Sequence, residues 1–501
     1  MSTSSRSLST LLAEAARARP GATAVIDDPD RRVSYAELAA LAGRVQAGLN
    51  ELAVRKGDRV VVLAERTDSS SVAAVHAILA SGAVYVPLDP LSPPARWAAV
   101  SEVCEPVAVV GDSALLDRFA QAVPRPRRLA LDGDLPAAAL APVPVDGREV
   151  AYLLPTSGST GVPKCVALTG DNGIAFLEWM VGELGISPTD RFACDAPLHF
   201  DVSVAAVLGT AMAGAALAPV PRGLSTFAAE LSEWMARQAT TVWISVPYPL
   251  SRLSALDLDT ATERLAALRT VVFAGDVFPH LQLGELMRRT PRARFVNIYG
   301  PTETNGCTFE VVDAPPTEPV PIGRAIDCAE CWVEDDGRRV DEVGAVGELV
   351  VAGPTVAAGY WGDAGQNGTR FRRYPGGRAY ATGDQVRILP GHRYAFLGRV
   401  DNMIKLRGQR FELEEVENVL RTAPGVRECC VAKVDVRGDH VRLLAAVVGP
   451  VPDASALRAH CRTKLPAWAV PHEFVAVSEL PLGSTGKVDR RKVGELLAEH
   501  R

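Results

Sequence analysis

Short apolar runs alternate with helix-like stretches along most of this chain, and that alternation limits it to an α/β layered fold more firmly than any other feature. Residues 59–63 form one such run and are followed by residues 69–80, where Val72, Val75, Ile78 and Leu79 share a helical face before Gly82 ends the helix. Residues 84–88, 107–110, 150–154, 270–273 and 295–298 likewise read as buried strands, most of them opening into loops rich in Gly, Asp or Thr. Loops at strand ends are where α/β folds carry function. Beyond about residue 320 the texture changes to hairpins, with residues 347–352 and 393–397 as strands between Gly-rich turns, which predicts a small β-rich subdomain. From Gly398 onward the chain reads as a compact α+β unit, with a helix at residues 413–421 and a hairpin around residues 437–440.

Composition excludes some function classes. The formal charge is −6 and the basic residues form no sustained stripe, so nucleic acid is not an expected partner. Residues 1–10 lack the apolar centre of a signal peptide, which predicts a cytoplasmic protein. The most apolar stretch, residues 204–220, is mainly Ala, Gly and Val and is shorter than the roughly 20 residues that span a bilayer. It is expected in the core, with no membrane role. Nine scattered Cys suit a reducing compartment; Cys328 and Cys331 form a CxxC pair without the further ligands of a zinc site, so packing is the expected role.

The segment Thr156-Ser157-Gly158-Ser159-Thr160-Gly161-Val162-Pro163-Lys164 leaves the predicted strand at residues 150–154. Hydroxyls and unobstructed backbone amides of this kind can wrap nucleotide phosphates, and Lys164 supplies a mobile positive charge. The spacing does not fit a Walker loop, because no Gly precedes Lys164 and no Ser or Thr follows it.

This loop resembles the phosphate loop of the adenylate-forming superfamily, which includes acyl-CoA synthetases, luciferases and the adenylation domains of nonribosomal peptide synthesis. Further motifs of that family follow the order expected: Ser34-Tyr35-Ala36-Glu37-Leu38, residues 82–89, His199-Phe200-Asp201-Val202-Ser203, Asn297-Ile298-Tyr299-Gly300-Pro301-Thr302-Glu303, Gly347-Glu348-Leu349, residues 380–384, residues 398–401, residues 405–408, Leu465-Pro466 and residues 486–490. The ordered series covers about residues 33–490. It implies a large N-terminal domain of β-sheets flanked by helices plus the small β-rich subdomain, residues 1–400, binding ATP and an amino acid. A small mobile α+β lid, residues 401–501, would follow.

The resemblance also implies roles. ATP would be held by Thr156 to Gly161, Lys164, Gly275, Asn297, Tyr299 against adenine, Gly300, and Asp384 with Arg399 at the ribose. Thr302 would lie near the α-phosphate and Glu303 would hold Mg²⁺, a hard ion suited to oxygen ligands. Lys487 is the main catalytic candidate, because an ammonium aimed at the charge developing between a carboxylate and the α-phosphorus lowers that barrier. Asp401 matches the family's hinge, about which the lid alternates between the Lys487 side and the Lys405 to Gly408 side. Cys165, Asp276, Met403, Gln385 and Thr485 depart from the commonest choices without removing a charged catalytic group, and Cys165 is expected to be packed.

Asp201 marks the amino-acid branch of the family, where it pairs with the substrate ammonium; a cationic partner is also the physical reason to keep a carboxylate in a pocket. The family's pocket positions fall on Val202, Ala205, Ile244, Val272, Ala274, Ile298, Gly306 and Cys307, which predicts an apolar aliphatic, cyclic or aromatic side chain on an α- or β-amino acid. The chain stops soon after Arg490, so it resembles the freestanding adenylation enzymes of antibiotic pathways that load the phosphopantetheine thiol of a separate carrier protein. Two alternatives stand beside this reading. One is an acyl-CoA synthetase using free coenzyme A, and the other is a non-catalytic relative, against which Lys164, Glu303, Asp384 and Lys487 speak.

Overall fold

The computed structural model describes residues 6–27, 31–65, 67–156, 163–375, 377–399, 403–406, 409–436, 440–450, 453–481, 488 and 490–499. A seven-stranded sheet contains Arg59–Leu63, which pairs in parallel with the central strand Val84–Pro87 and with Ala108–Gly111. Val60 to Leu63 are essentially unexposed, and burial on both faces is why that strand reads as an unbroken apolar run. The helix Ser69–Ala80 makes the crossover, closed at its start by a reciprocal capping box between Asp68 and Ser71. A nine-stranded sheet carries the parallel neighbours Arg191–Cys194, Val242–Ser245, Thr270–Ala274 and Arg294–Tyr299.

The main core lies between these two sheets and is filled by the helices Tyr35–Glu51, Ser69–Ala80, Gly170–Glu183 and Asp201–Ala213. Separate apolar clusters, around Trp234 and Trp243 on one side and Trp97 and Phe119 on the other, cover the outer faces. The apolar stretch at residues 204–220 is core: most of it forms the helix Asp201–Ala213, which turns at Gly214 (φ +68) into the buried strand Ala216–Pro219. Among the described residues no helix is long and apolar enough to cross a membrane.

After residue 320 the chain forms a six-stranded antiparallel sheet, built around Gly377–Leu389 between Val346–Ala352 and Arg393–Arg399. The last part holds the paired strands Met403–Leu406 and Gln409–Glu412, then the sheet of Glu428–Val436, His440–Val448 and Glu473–Ala476. Helices Leu413–Arg421 and Ala454–Arg462 pack on one face of that sheet and Arg490–Glu499 on the other. Cys429 and Cys430 point to opposite faces of it and are both buried. Cys165 is fully buried, and burial pushes its thiol pKa up, away from reactivity.

Candidate active site

Parallel pairing sets Ile244, Val272 and Val296 in one row across the nine-stranded sheet and Ala274 beside Ile298 one step nearer the strand ends. A cavity of about 170 Å³ opens at those carboxyl ends. It is lined by Asp201, Val202, Ala205, Ile244, Ala274, Ile298 and Gly306 from the expected pocket, and by Thr156, Gly275, Gly300 and Thr302 from the expected nucleotide side. Val272 and Cys307, both wholly buried, the latter with its carbonyl facing the Cys331 thiol, do not line it.

Asp201 opens the helix Asp201–Ala213, so its carboxylate sits at the positive end of the helix dipole. One oxygen accepts from the Val202 amide at 2.8 Å and the other from the Thr302 hydroxyl at 2.8 Å. Two of its roughly four acceptor positions remain for a donor from the cavity. Thr302, expected near the α-phosphate, thus also orients Asp201. Gly300 allows a close crossing, since a Cβ there would meet the Asn305 carbonyl oxygen at 1.6 Å. Gly275 has a φ of +86, the left-handed backbone that favours glycine.

Two buried polar clusters flank the cavity. In the first, the Tyr299 hydroxyl and the Arg399 guanidinium both engage Asp384, which is 1% exposed. Burial and the Asp384 charge raise the Tyr299 pKa, so its hydroxyl stays a donor. Asn297, on the same strand as Tyr299, donates to the Pro321 carbonyl at 2.9 Å. In the second, the Tyr360 hydroxyl donates to Glu303 at 2.7 Å, while Lys164 lies 5.3 Å from the Tyr360 ring centre and 3.7 Å from a Glu412 oxygen. Among the described residues no group of three or more His, Cys, Asp or Glu suits a metal. Glu303 offers one buried carboxylate, which fits a Mg²⁺ ion that takes most of its ligands from phosphates and water.

The C-terminal part reaches this site. Arg96 and Glu415 form a largely buried ion pair, and Pro466 and Trp468 line the cavity mouth beside Asp89 and Ser92. Ser157, Gly158, Ser159, Thr160, Gly161, Asp401, Gly408 and Lys487 lie outside the described residues. Sequence reasoning missed Phe176 and Asn305 in the lining. Phe176 belongs to the helix Gly170–Glu183, whose pattern is that of any core helix, so nothing local marks it.

Asp195, between the strand Arg191–Cys194 and the loop leading to Asp201, carries a pH signature. Burial raises its carboxyl from 3.8 to about 6, against the opposing pull of Ser245 and Trp243. The native state therefore holds a proton that the unfolded chain releases, and stability falls as pH rises from about 4 to about 6. Asp195→Asn cannot ionise. It is expected to stabilise the protein by roughly 1–3 kcal/mol at pH 8 and to leave it nearly unchanged at pH 4 in thermal unfolding.

The sequence profile of the family described as AMP-binding enzyme matches residues 12–361, and that of the AMP-binding enzyme C-terminal domain matches residues 415–487. The chain is 36% identical to an L-proline–[L-prolyl-carrier protein] ligase of Pseudomonas fluorescens, covering 94% of this chain and 95% of that protein. A protein of the same name from Streptomyces coelicolor is 36% identical, with 92% of each covered. A solved NRPS protein containing adenylation and PCP domains, bound to a vinylsulfonamide inhibitor, matches with a TM-score of 0.84 at 27% identity, over 97% of this chain and 84% of that one.

Proposed function

The chain belongs to the AMP-binding enzyme family, and from that premise we propose that it activates an amino acid with an apolar side chain as its aminoacyl-adenylate and passes it to the phosphopantetheine thiol of a separate carrier protein. The observation that carries this reading is the Asp201 carboxylate at a helix start, oriented by Thr302, beside a cavity wall formed by Val202, Ala205, Ile244, Ala274 and Ile298. A carboxylate in such a wall is costly without a cation, and a substrate ammonium supplies one. The relatives that act on L-proline support a small ring within this class.

In the first half-reaction a substrate carboxylate oxygen attacks the α-phosphorus of ATP; the P–O bond to the β-phosphate breaks and pyrophosphate leaves. Asp201 holds the ammonium so that the carboxylate faces the Thr302 and Gly300 end of the cavity. Lys164 compensates phosphate charge, exchanging Glu412 for the nucleotide, and Lys487 meets the charge that develops at the reacting centre. Glu303 would hold Mg²⁺, which neutralises phosphate charge when bound. Asp384, with Arg399 and Tyr299, would receive the ribose and the adenine face. In the second half-reaction the carrier thiolate attacks the acyl carbon and AMP leaves.

Substrate-dependent exchange of labelled pyrophosphate into ATP tests this over matched sets of α-amino, β-amino, aryl and plain carboxylic acids. Exchange is expected with apolar amino acids and at least tenfold less with their desamino counterparts. Exchange that prefers a plain fatty or aryl acid would overturn the amino-acid reading.

A further inference from the structure

The floor of the cavity is set by a contact between elements far apart in the chain. A Cβ at Gly306 would meet the Phe176 ring at 2.6 Å and the Ile298 side chain at 2.7 Å, so the ring edge presses on bare backbone. Phe176 lines the cavity beside Ala205 and Gly306. Its ring is backed by Trp179, with centroids 6.1 Å apart, and Trp179 in turn meets Phe309 edge-on at 5.1 Å. The helix that carries it is pinned at its start, where the Asn172 amide donates to the carbonyls of Pro354 at 2.6 Å and Val356 at 3.0 Å. Trp179 and the pinned helix therefore block the ring from retreating away from the cavity.

We propose that Phe176 is a specificity-determining residue that closes the floor of the substrate cavity against Gly306, limiting the enzyme to aliphatic and small cyclic side chains and excluding phenyl and indole groups. This rests on the cavity being the amino-acid pocket. Ala205 leaves width in the pocket, but the Phe176 ring, backed by Trp179, limits depth, and depth is what a flat aromatic side chain needs. Shortening Phe176 removes the floor; adding a methyl at Gly306 raises it.

The test is pyrophosphate exchange with alanine, 2-aminobutyrate, valine, proline, leucine and phenylalanine, giving kcat/KM for the wild type, Phe176→Leu, Phe176→Ala and Gly306→Ala, with thermal unfolding of each protein. A methylene-sized change in a pocket shifts such ratios by roughly 10–200-fold. Phe176→Ala is expected to raise the phenylalanine-to-best-substrate ratio by at least about tenfold, with Phe176→Leu between it and the wild type. Gly306→Ala is expected to move the optimum to a smaller side chain. If Phe176→Ala does not fold, the graded shift in Phe176→Leu decides. Folded variants with the wild-type profile overturn the role of Phe176 while leaving the proposed function standing. A wild type without amino-acid-dependent exchange overturns the proposed function and this inference with it.

Discussion

Asp201→Ala is expected to lower kcat/KM for amino-acid-dependent pyrophosphate exchange by about 100- to 1,000-fold, because a substrate ammonium drawn into the cavity would lose its counter-charge. Breaking one side of a buried, hydrogen-bonded ion pair costs roughly 3–5 kcal/mol, most of it the penalty on the charge left behind. Asp201 is well placed for so large an effect. It is held from two directions, by the Val202 amide and the Thr302 hydroxyl, so the carboxylate is oriented before substrate arrives. Asp201→Asn keeps the shape and one acceptor while removing the charge, and it should lose nearly as much. The loss should be selective, with exchange on a desamino acid falling far less than exchange on the matching amino acid. An equal fall for both would mean that the substitution had damaged the fold of the pocket.

The second large effect falls on Lys487. Two anions must approach in the adenylation step, and removing one donor aimed at developing charge costs about 100- to 1,000-fold in rate. Lys487→Ala is therefore expected to abolish most pyrophosphate exchange. Transfer from a supplied aminoacyl-adenylate to the carrier thiol should stay within about tenfold of the wild type, because no pyrophosphate leaves in that step. Single-turnover thioester formation from chemically made adenylate measures it. Equal losses in both half-reactions would contradict a role confined to adenylation.

Much of this was legible in the sequence, for reasons that differ from residue to residue. The run at residues 59–63 was readable because both faces of the strand are buried, and the helix Leu413–Arg421 because one face meets the C-terminal core. Asp201 was marked by the resemblance of residues 199–203 to a motif of the adenylate-forming family, and by the cost of a carboxylate in a pocket without a cation. What could not be read depends on pairing across the fold. Along Thr270–Ala274 the residue that reaches the cavity is Ala274 and not Val272, although Ile244, the register partner of Val272, lines it. The hydroxyl of Thr302 meets Asp201 only because a turn after one strand crosses the start of a distant helix. Phe176 reaches Gly306 through the packing of its helix under the sheet, and no spacing rule along the chain encodes that.

Two contacts among the described residues bear on the proposed binding of ATP. Lys164 faces Glu412 from the C-terminal part and the Tyr360 hydroxyl donates to Glu303, so these two groups, proposed to meet phosphate and metal, already have partners. In the proposed function, exchange of these contacts for the nucleotide's own charges would let binding energy act on the C-terminal part, to which Glu412 and Glu415 belong.

The most direct test of the central claim is a crystal structure of the protein with a non-hydrolysable aminoacyl-adenylate analogue bearing its preferred side chain. The analogue's ammonium is expected about 2.7–3.2 Å from the Asp201 carboxylate, with its side chain against Phe176 and Gly306. An analogue bound with its amine directed away from Asp201, or its side chain outside this cavity, would contradict that claim.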